Sequence, residues 1–594
     1  MALKTRQEMD VSYQWDLGHI FKDKAAWEDA FAVLAGEAGA MEAYRGTLGT
    51  AQGAKAALDA YYQQAERAER VYLYAELTKA GDNGDQEAQA MQDRAMGLLV
   101  QLSAAASFLT PELAALPEET LQSYLGDEQL TAYRHIITDI IRNRAHVLSP
   151  EQEHMLALLA DAAQTPDNSF TMLSEVDMTF PQIRDEAGVP VQLTHGTFGV
   201  YRESADRRVR EEAFAAYFGE FNKYSNTFAA LYGGSVKLDG YFAQVRKHES
   251  AMAQALFGNA VPLEVYDNLI QAVHDSFPAM ERYLALRKRA LGLDALHMYD
   301  LYCPMVAGVE ASYTLEEAEA LVKEALAPLG SAYGALLDKA YHERWIDVYE
   351  NKGKTTGAFS CGVYGVHPYV LLNYTGKLDD VFTLAHELGH ALHSYLSDKA
   401  QDYANHDYAI FVAEVASTVN EVLLTLHLLE TEKEPRRRAY YLNHFLEGFR
   451  TTLYRQTLFA EFEREAHAMA QAGQPLTAQS LSALYRRLNE AYYAGAVVDP
   501  LQEIEWARIP HFYNAFYVYQ YATGFSAAVD IAARIRKTGD VAGYLRFLST
   551  GGSDYPLEEP KLAGVDLGKP ETVRNALGVF AKSVEKLERL IQSF

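Results

Sequence analysis

Residues 54–80 run AKAALDAYYQQAERAERVYLYAELTKA, with apolar side chains returning at the three-to-four spacing of one helix face. GDNGD at 81–85 reads as a turn with Asp85 as N-cap candidate, and EAQAMQDRAMGLLVQL then runs back. The pair predicts a helical hairpin. Helical periodicity continues over 111–165 and again over about 205–345. Between them, 166–200 brings in Pro, Gly, Thr and alternating apolar positions, which predicts a small β-element and a lobe boundary. The expected division is an N-terminal helical lobe, 1–190, and a second domain, 191–594.

In the second half, GAFSCGVYGVHPYVLLNY at 357–374 is the clearest strand-like stretch, ending at Thr375-Gly376. Helical pattern follows at 381–396, VFTLAHELGHALHSYL, with Asp379 or Asp380 as the expected N-cap. A polar loop, SDKAQDYANHDYA, separates it from a further helix over FVAEVASTVNEVLLTLHLL. The C-terminal third is mostly helical, so the fold class is mainly α with small β-elements.

Composition narrows the function classes. At 49% apolar and 22% charged residues, the 594-residue chain is globular in character. No run of about 18 apolar residues predicts a membrane span, and the opening MALKTRQEMDVSYQWDLGHIF carries no secretory pattern. The two cysteines, Cys303 and Cys361, exclude a cysteine-based zinc site and argue against a disulfide framework, so a cytoplasmic location is expected. A net charge of −27 disfavours nucleic acid and anionic membranes as partners.

His386-Glu387-Leu388-Gly389-His390 is an HExxH pattern. On an α-helix, positions i and i+4 lie about 40° apart, so both imidazoles leave one face and can bind one zinc ion. Glu387 then reaches the water activated there and serves as general base. A catalytic zinc takes a third protein ligand. His393 shares the face, but three ligands along one straight helix would spread over roughly 10 Å and could not converge on bonds of about 2 Å. A carboxylate on the next helix is the better candidate. Glu414 lies 24 positions after His390 among apolar residues, with a loop between that allows antiparallel packing. Glu421, two turns on, is read as supporting a ligand from outside or as a plain helix residue, and His393 as supporting a ligand or lining the pocket.

A second constellation is RIPHFYNAFYVYQYATGF at 508–525, in which His511 heads a tyrosine-dense helix with Tyr513, Tyr517, Tyr519 and Tyr521. Imidazole and phenol groups suit an oxyanion donor, while a helix packed with aromatic core residues fits the pattern equally well.

These stretches together resemble the oligoendopeptidase F group of the thimet-oligopeptidase-like (M3) zinc metallopeptidases. The resemblance is carried by GAFSCGVYGVHPYVLLNY, LDDVFTLAHELGHALHSYLS, FVAEVASTVNE and IPHFYNAFYVYQYATGFSAA, with LTHGTFGVYRESADRRVREEAF at 193–214. It implies one Zn2+ per chain on His386, His390 and Glu414, with Glu387 as base. It also implies that His511 and a tyrosine, Tyr517 or Tyr519, act at the transition state. The fold it implies is a large two-lobed helical enclosure around a deep channel, with a small β-sheet beside the HExxH helix. The activity it implies is endopeptidase cleavage of short, unfolded peptides, whose backbone would pair with the strand near 357–374. A helical zinc carboxypeptidase, and more remotely a non-catalytic zinc-containing peptide binder, share parts of the pattern.

Overall fold

The computed structural model describes residues 3–306 and 312–593. The protein is mainly helical, with two small sheets. Its contacts divide it into two compact units, each built from three separate stretches of chain. The first unit comprises Met1–Ala145, Ala311–His427 and Ile531–Val565; the second comprises His146–Glu310, Leu428–Asp530 and Asp566–Phe594. This interleaved partition differs from a single division after residue 190.

In the first unit the expected hairpin forms from helices Ala51–Gly81 and Gln86–Ala106. Asp85 caps the second of these, its carboxylate accepting from the Glu87 and Ala88 N–H groups. Both helices pack around Trp27, which is fully buried and donates its indole N–H to the Val71 carbonyl at 2.7 Å. The strand-like stretch becomes part of a three-stranded sheet of β3 (Ile346–Asp347), β4 (Phe359–Cys361) and β5 (Tyr369–Leu371). β5 is central, parallel to β3 and antiparallel to β4, with Ser360 opposite Val370. All three β5 residues are buried, which is why YVLLNY reads as a continuous apolar run rather than an alternating one. β4 and β5 both lie against the helix Leu378–Ala400, so the sheet flanks the HExxH segment.

The second unit contains the hairpin foreseen at 166–200. It pairs β1 (Gln182–Arg184) with β2 (Pro190–Gln192), Ile183 facing Val191. Helical packing dominates the rest. One long run is made of Pro435–Gly448, a π-helical turn at Phe449–Tyr454, and Arg455–Gln471.

Two described stretches, Gln86–Ala115 and Ile410–Thr431, are long and apolar enough by length and composition to cross a membrane, against the expectation that none would be. In Ile410–Thr431 67% of the apolar window is buried inside the protein, and the same helix carries Glu414, Asn420 and Glu421. It has the character of a core helix.

Candidate active site

The Leu378–Ala400 helix begins differently from expectation. Lys377, not an aspartate, takes the cap position. Asp380 sits inside the first turn, where its Oδ2 accepts from the Lys377 and Thr375 N–H groups, both at 2.9 Å, and from the Thr375 hydroxyl at 2.6 Å. A carboxylate at the third helical position can reach back to the free N–H groups of the helix start, which makes an aspartate at the cap itself unnecessary.

Two turns on, His386 and His390 project together, their Nε2 atoms 3.1 Å apart. The helix Ile410–Thr431 crosses this face and brings up Glu414. Its Oε2 lies 3.5 Å from His386 Nε2 and 3.6 Å from His390 Nε2. A tetrahedral centre with bonds of about 2.0–2.1 Å puts neighbouring donor atoms roughly 3.3 Å apart. The three spacings bracket that figure, and the three donors form a group able to hold a metal ion. Two imidazoles and a carboxylate suit a divalent transition metal.

The surroundings tune the donors. His386 Nδ1 and Glu421 Oε1 are 2.5 Å apart, so Nδ1–H donates to the carboxylate and Nε2 is the ring nitrogen turned to the cluster. Burial works against a charged His386, but the Glu421 hydrogen bond and the charges of Glu421, Glu387 and Glu414 outweigh it and push the metal-free imidazole up to about 9. Burial would raise Glu414 as well, yet His390 and His386 bring it down to about 2. Glu387 is 7% exposed, and burial raises its carboxyl above the ordinary range. His393 does not join the cluster. It is fully buried in a parallel stack on Tyr408, ring centres 3.7 Å apart, and both ring nitrogens lack a hydrogen-bond partner. Burial drives its imidazole down to about 3, so it is a neutral core residue rather than a pocket wall.

Sequence reasoning missed two pieces of this framework. Asn420 donates to the Ala385 carbonyl at 2.9 Å and accepts from the Tyr333 hydroxyl at 3.2 Å, tying the two site helices together. Gly389 is the other: a Cβ there would lie 2.5 Å from the Ser417 Cα. The available signal was a glycine inside an otherwise strong helix.

His511 and its tyrosines lie in the second unit. His511 does not head a helix. It sits on a short 3-10 turn, Pro510–Tyr513, and the helix begins only at Tyr519. Between them Phe516 takes a left-handed conformation, φ 58°, and its N–H donates to Glu463 Oε1 at 3.0 Å instead of continuing a helix. His511 gathers Tyr517 and Tyr521, whose rings meet edge-on at 5.4 Å; the Tyr521 hydroxyl is 3.5 Å from His511 Nε2. Burial lowers the His511 imidazole below its ordinary value. Tyr519 corrects the expectation placed on it. It is 2% exposed and turned into the unit's core against Tyr266, ring centres 5.0 Å apart. Tyr521, one of the four tyrosines noted but not singled out, takes its place beside His511.

A helical fold in which an HExxH helix receives a glutamate from the following helix defines a metallopeptidase. The comparisons agree. Residues 200–579 match Peptidase family M3, and residues 112–180 match Oligopeptidase F. The chain belongs to peptidase family M3 and is a metalloendopeptidase. It is 42% identical to the oligopeptidase PepF of Bacillus subtilis, over 99% of this chain and 89% of that one. It is 39% identical to the group B oligopeptidase PepB of Streptococcus agalactiae, over 99% and 98%. The crystal structure of oligoendopeptidase-F from Enterococcus faecium superposes with a TM-score of 0.74 at 38% identity, covering 96% of this chain and all of that one.

Proposed function

We propose that the protein is a zinc-dependent endopeptidase that hydrolyses internal bonds of short, unfolded oligopeptides. The observation that carries this reading is the convergence of His386, His390 and Glu414 on one point, with Glu387 next to the first ligand on the same helix. When bound there, zinc supplies Lewis acidity, making a water nucleophilic at neutral pH and polarising the scissile carbonyl. Glu387 takes the proton of the attacking water as the C–O bond forms, and delivers it to the amide nitrogen as the C–N bond breaks. Glu421 holds His386 in the tautomer that presents Nε2. His511, with Tyr517 and Tyr521 beside it in the second unit, carries donors of the kind that stabilise an oxyanion.

β4 is an edge strand of its sheet and packs on the HExxH helix, which supports pairing of the substrate backbone along it. Cys303 and Cys361 are unbridged, in keeping with peptide turnover in the reducing cytoplasm. The net charge of −27 argues against nucleic acid or anionic membrane as partners.

The test is an internally quenched peptide blocked at both ends, with products identified by mass spectrometry and zinc quantified in every preparation. Internal cleavage, with a loss of about 10³-fold in Glu387→Gln at equal zinc content, is the expected result. Zinc-loaded wild type that trims only peptides with a free C-terminus would establish the carboxypeptidase reading instead.

A further inference from the structure

Inside the second unit lies a cavity of about 30 Å³, walled in part by Arg202, Tyr302, Arg450, Arg455, Tyr493 and Glu505. The charges around it do not balance. Glu447 pairs with both Arg287 and Arg450, each at 2.6 Å. Glu505 pairs with Arg455 at 2.6 Å and with Arg508 at 3.7 Å. Two carboxylates thus serve four guanidiniums. Arg202 is a fifth, and among the described residues no carboxylate pairs with it. Its Nε is buried without a hydrogen-bond partner, and its guanidinium carbon lies 3.7 Å from the centre of the Tyr302 ring.

The backbone is bent to make this arrangement. Arg450 and Arg455 are five residues apart, a spacing that an ordinary α-helix rotates by roughly 140°. The π-helical turn Phe449–Tyr454, with its i→i+5 bonding, brings the two side chains to the same face. Both reach Tyr302. The Arg450 guanidinium lies 4.4 Å from the ring centre, and Arg455 Nη1 donates to the Tyr302 hydroxyl at 3.0 Å. Burial alone would raise the Tyr302 phenol; Arg455, Arg450 and Arg202 override it and bring it down to about 8. A protein of net charge −27 has therefore concentrated uncompensated positive charge in its interior, where unpaired charge is costly.

We propose that this cavity is an anion site, in which a small inorganic monoanion of chloride size rests against Arg202, Arg450 and Arg455 and supplies the missing counter-charge. The volume, roughly that of one to two waters, admits such an ion and excludes a peptide carboxylate with its chain.

The full-length protein tests it by thermal unfolding in sodium chloride against sodium gluconate at fixed ionic strength, gluconate being too large for the cavity. A saturable rise of Tm in chloride alone is expected, as for any ligand that binds only the folded state. Arg202→Met keeps the packing on Tyr302 and removes the charge, and should weaken the half-saturation point at least tenfold. Equal chloride curves for wild type and variant, equal responses to the two salts, or no chloride response would each overturn the proposal. Should Arg202→Met fail to fold, wild-type crystals in bromide decide. Anomalous density against Arg202 and Tyr302 supports the site; bromide bound only elsewhere, or an adventitious ion only, refutes it.

Discussion

Gly389 and Ser417 mark the point where the two site helices touch backbone to backbone. A methyl group on Gly389 would lie 2.5 Å from the Ser417 Cα and 2.8 Å from both the Ser417 nitrogen and the Ala416 carbonyl oxygen. Glu414 is one turn before Ser417, and the Ser417 hydroxyl donates to the Glu414 carboxylate at 3.2 Å. The closeness of this crossing is what lets a short glutamate side chain reach between His386 and His390.

Gly389→Ala should therefore force the helices apart. Overpacking of this kind costs about 1–3 kcal/mol, and the third ligand would withdraw from the histidines. Urea unfolding of the metal-free protein and metal retained after dialysis measure the two effects. Wild-type values for both would show that the crossing is softer than the contact distances imply.

Glu421→Ala removes the acceptor that fixes the His386 ring. Loss of such a partner weakens metal affinity by roughly 10–100-fold. Competition with a chelator, read as bound metal at equilibrium, gives the number directly. A variant that holds metal as tightly as wild type would reduce Glu421 to an ordinary helix residue.

Glu463 is fully buried, and burial raises its carboxyl well above the ordinary range. Its importance lies in the hydrogen bond from Phe516, which holds the left-handed turn just ahead of Tyr517. Glu463→Gln keeps a hydrogen-bond acceptor for the Phe516 N–H and should stay near wild type. Glu463→Leu strands the Phe516 N–H at a cost of about 1–3 kcal/mol, and should lower kcat by disordering the turn. Unfolding and steady-state kinetics on both variants separate these outcomes, and identical behaviour of the two would be the adverse result.

Glu559 supplies a pH signature of stability. It is 1% exposed, neither carboxylate oxygen has a hydrogen-bond partner, and burial, with the charge of Asp554, pushes its carboxyl up to about 8. The unfolded chain titrates near 4.5. Between those values the folded state keeps a proton that the unfolded chain has released, so the stabilisation is complete below pH 4.5 and is lost as pH rises through about 8. Glu559→Gln abolishes that titration and should gain on wild type by on the order of 2–4 kcal/mol at pH 9, and by little at pH 5. Parallel stability profiles for wild type and variant would contradict this.

The metal cluster was legible because its information is local. HExxH fixes two imidazoles on one face by helix geometry alone, and an apolar helix interrupted by a glutamate at a loop's distance leaves few other third ligands. The second constellation was legible only in composition. RIPHFYNAFYVYQYATGF announces aromatic chemistry, but a continuous helix would have oriented its tyrosines differently. The left-handed turn at Phe516 reset the phase, and with it which phenols meet His511. That turn is held by Glu463, more than fifty residues earlier, a distance over which periodicity carries no signal.

By itself, then, the sequence determined the helical class, the hairpin at 51–106, the β-prone stretch before the HExxH helix, and the residues able to bind metal. The tertiary structure alone decided which side chains those residues meet: Glu421 on His386, His393 under Tyr408, Tyr519 in the core, and three guanidiniums lining one small cavity. The physical reason is range. Helix and strand patterns arise from neighbours within a turn or two, where spacing in sequence is spacing in space. Burial, charge balance and backbone crossings arise between segments that lie tens to hundreds of residues apart, and exist only once the chain has closed on itself.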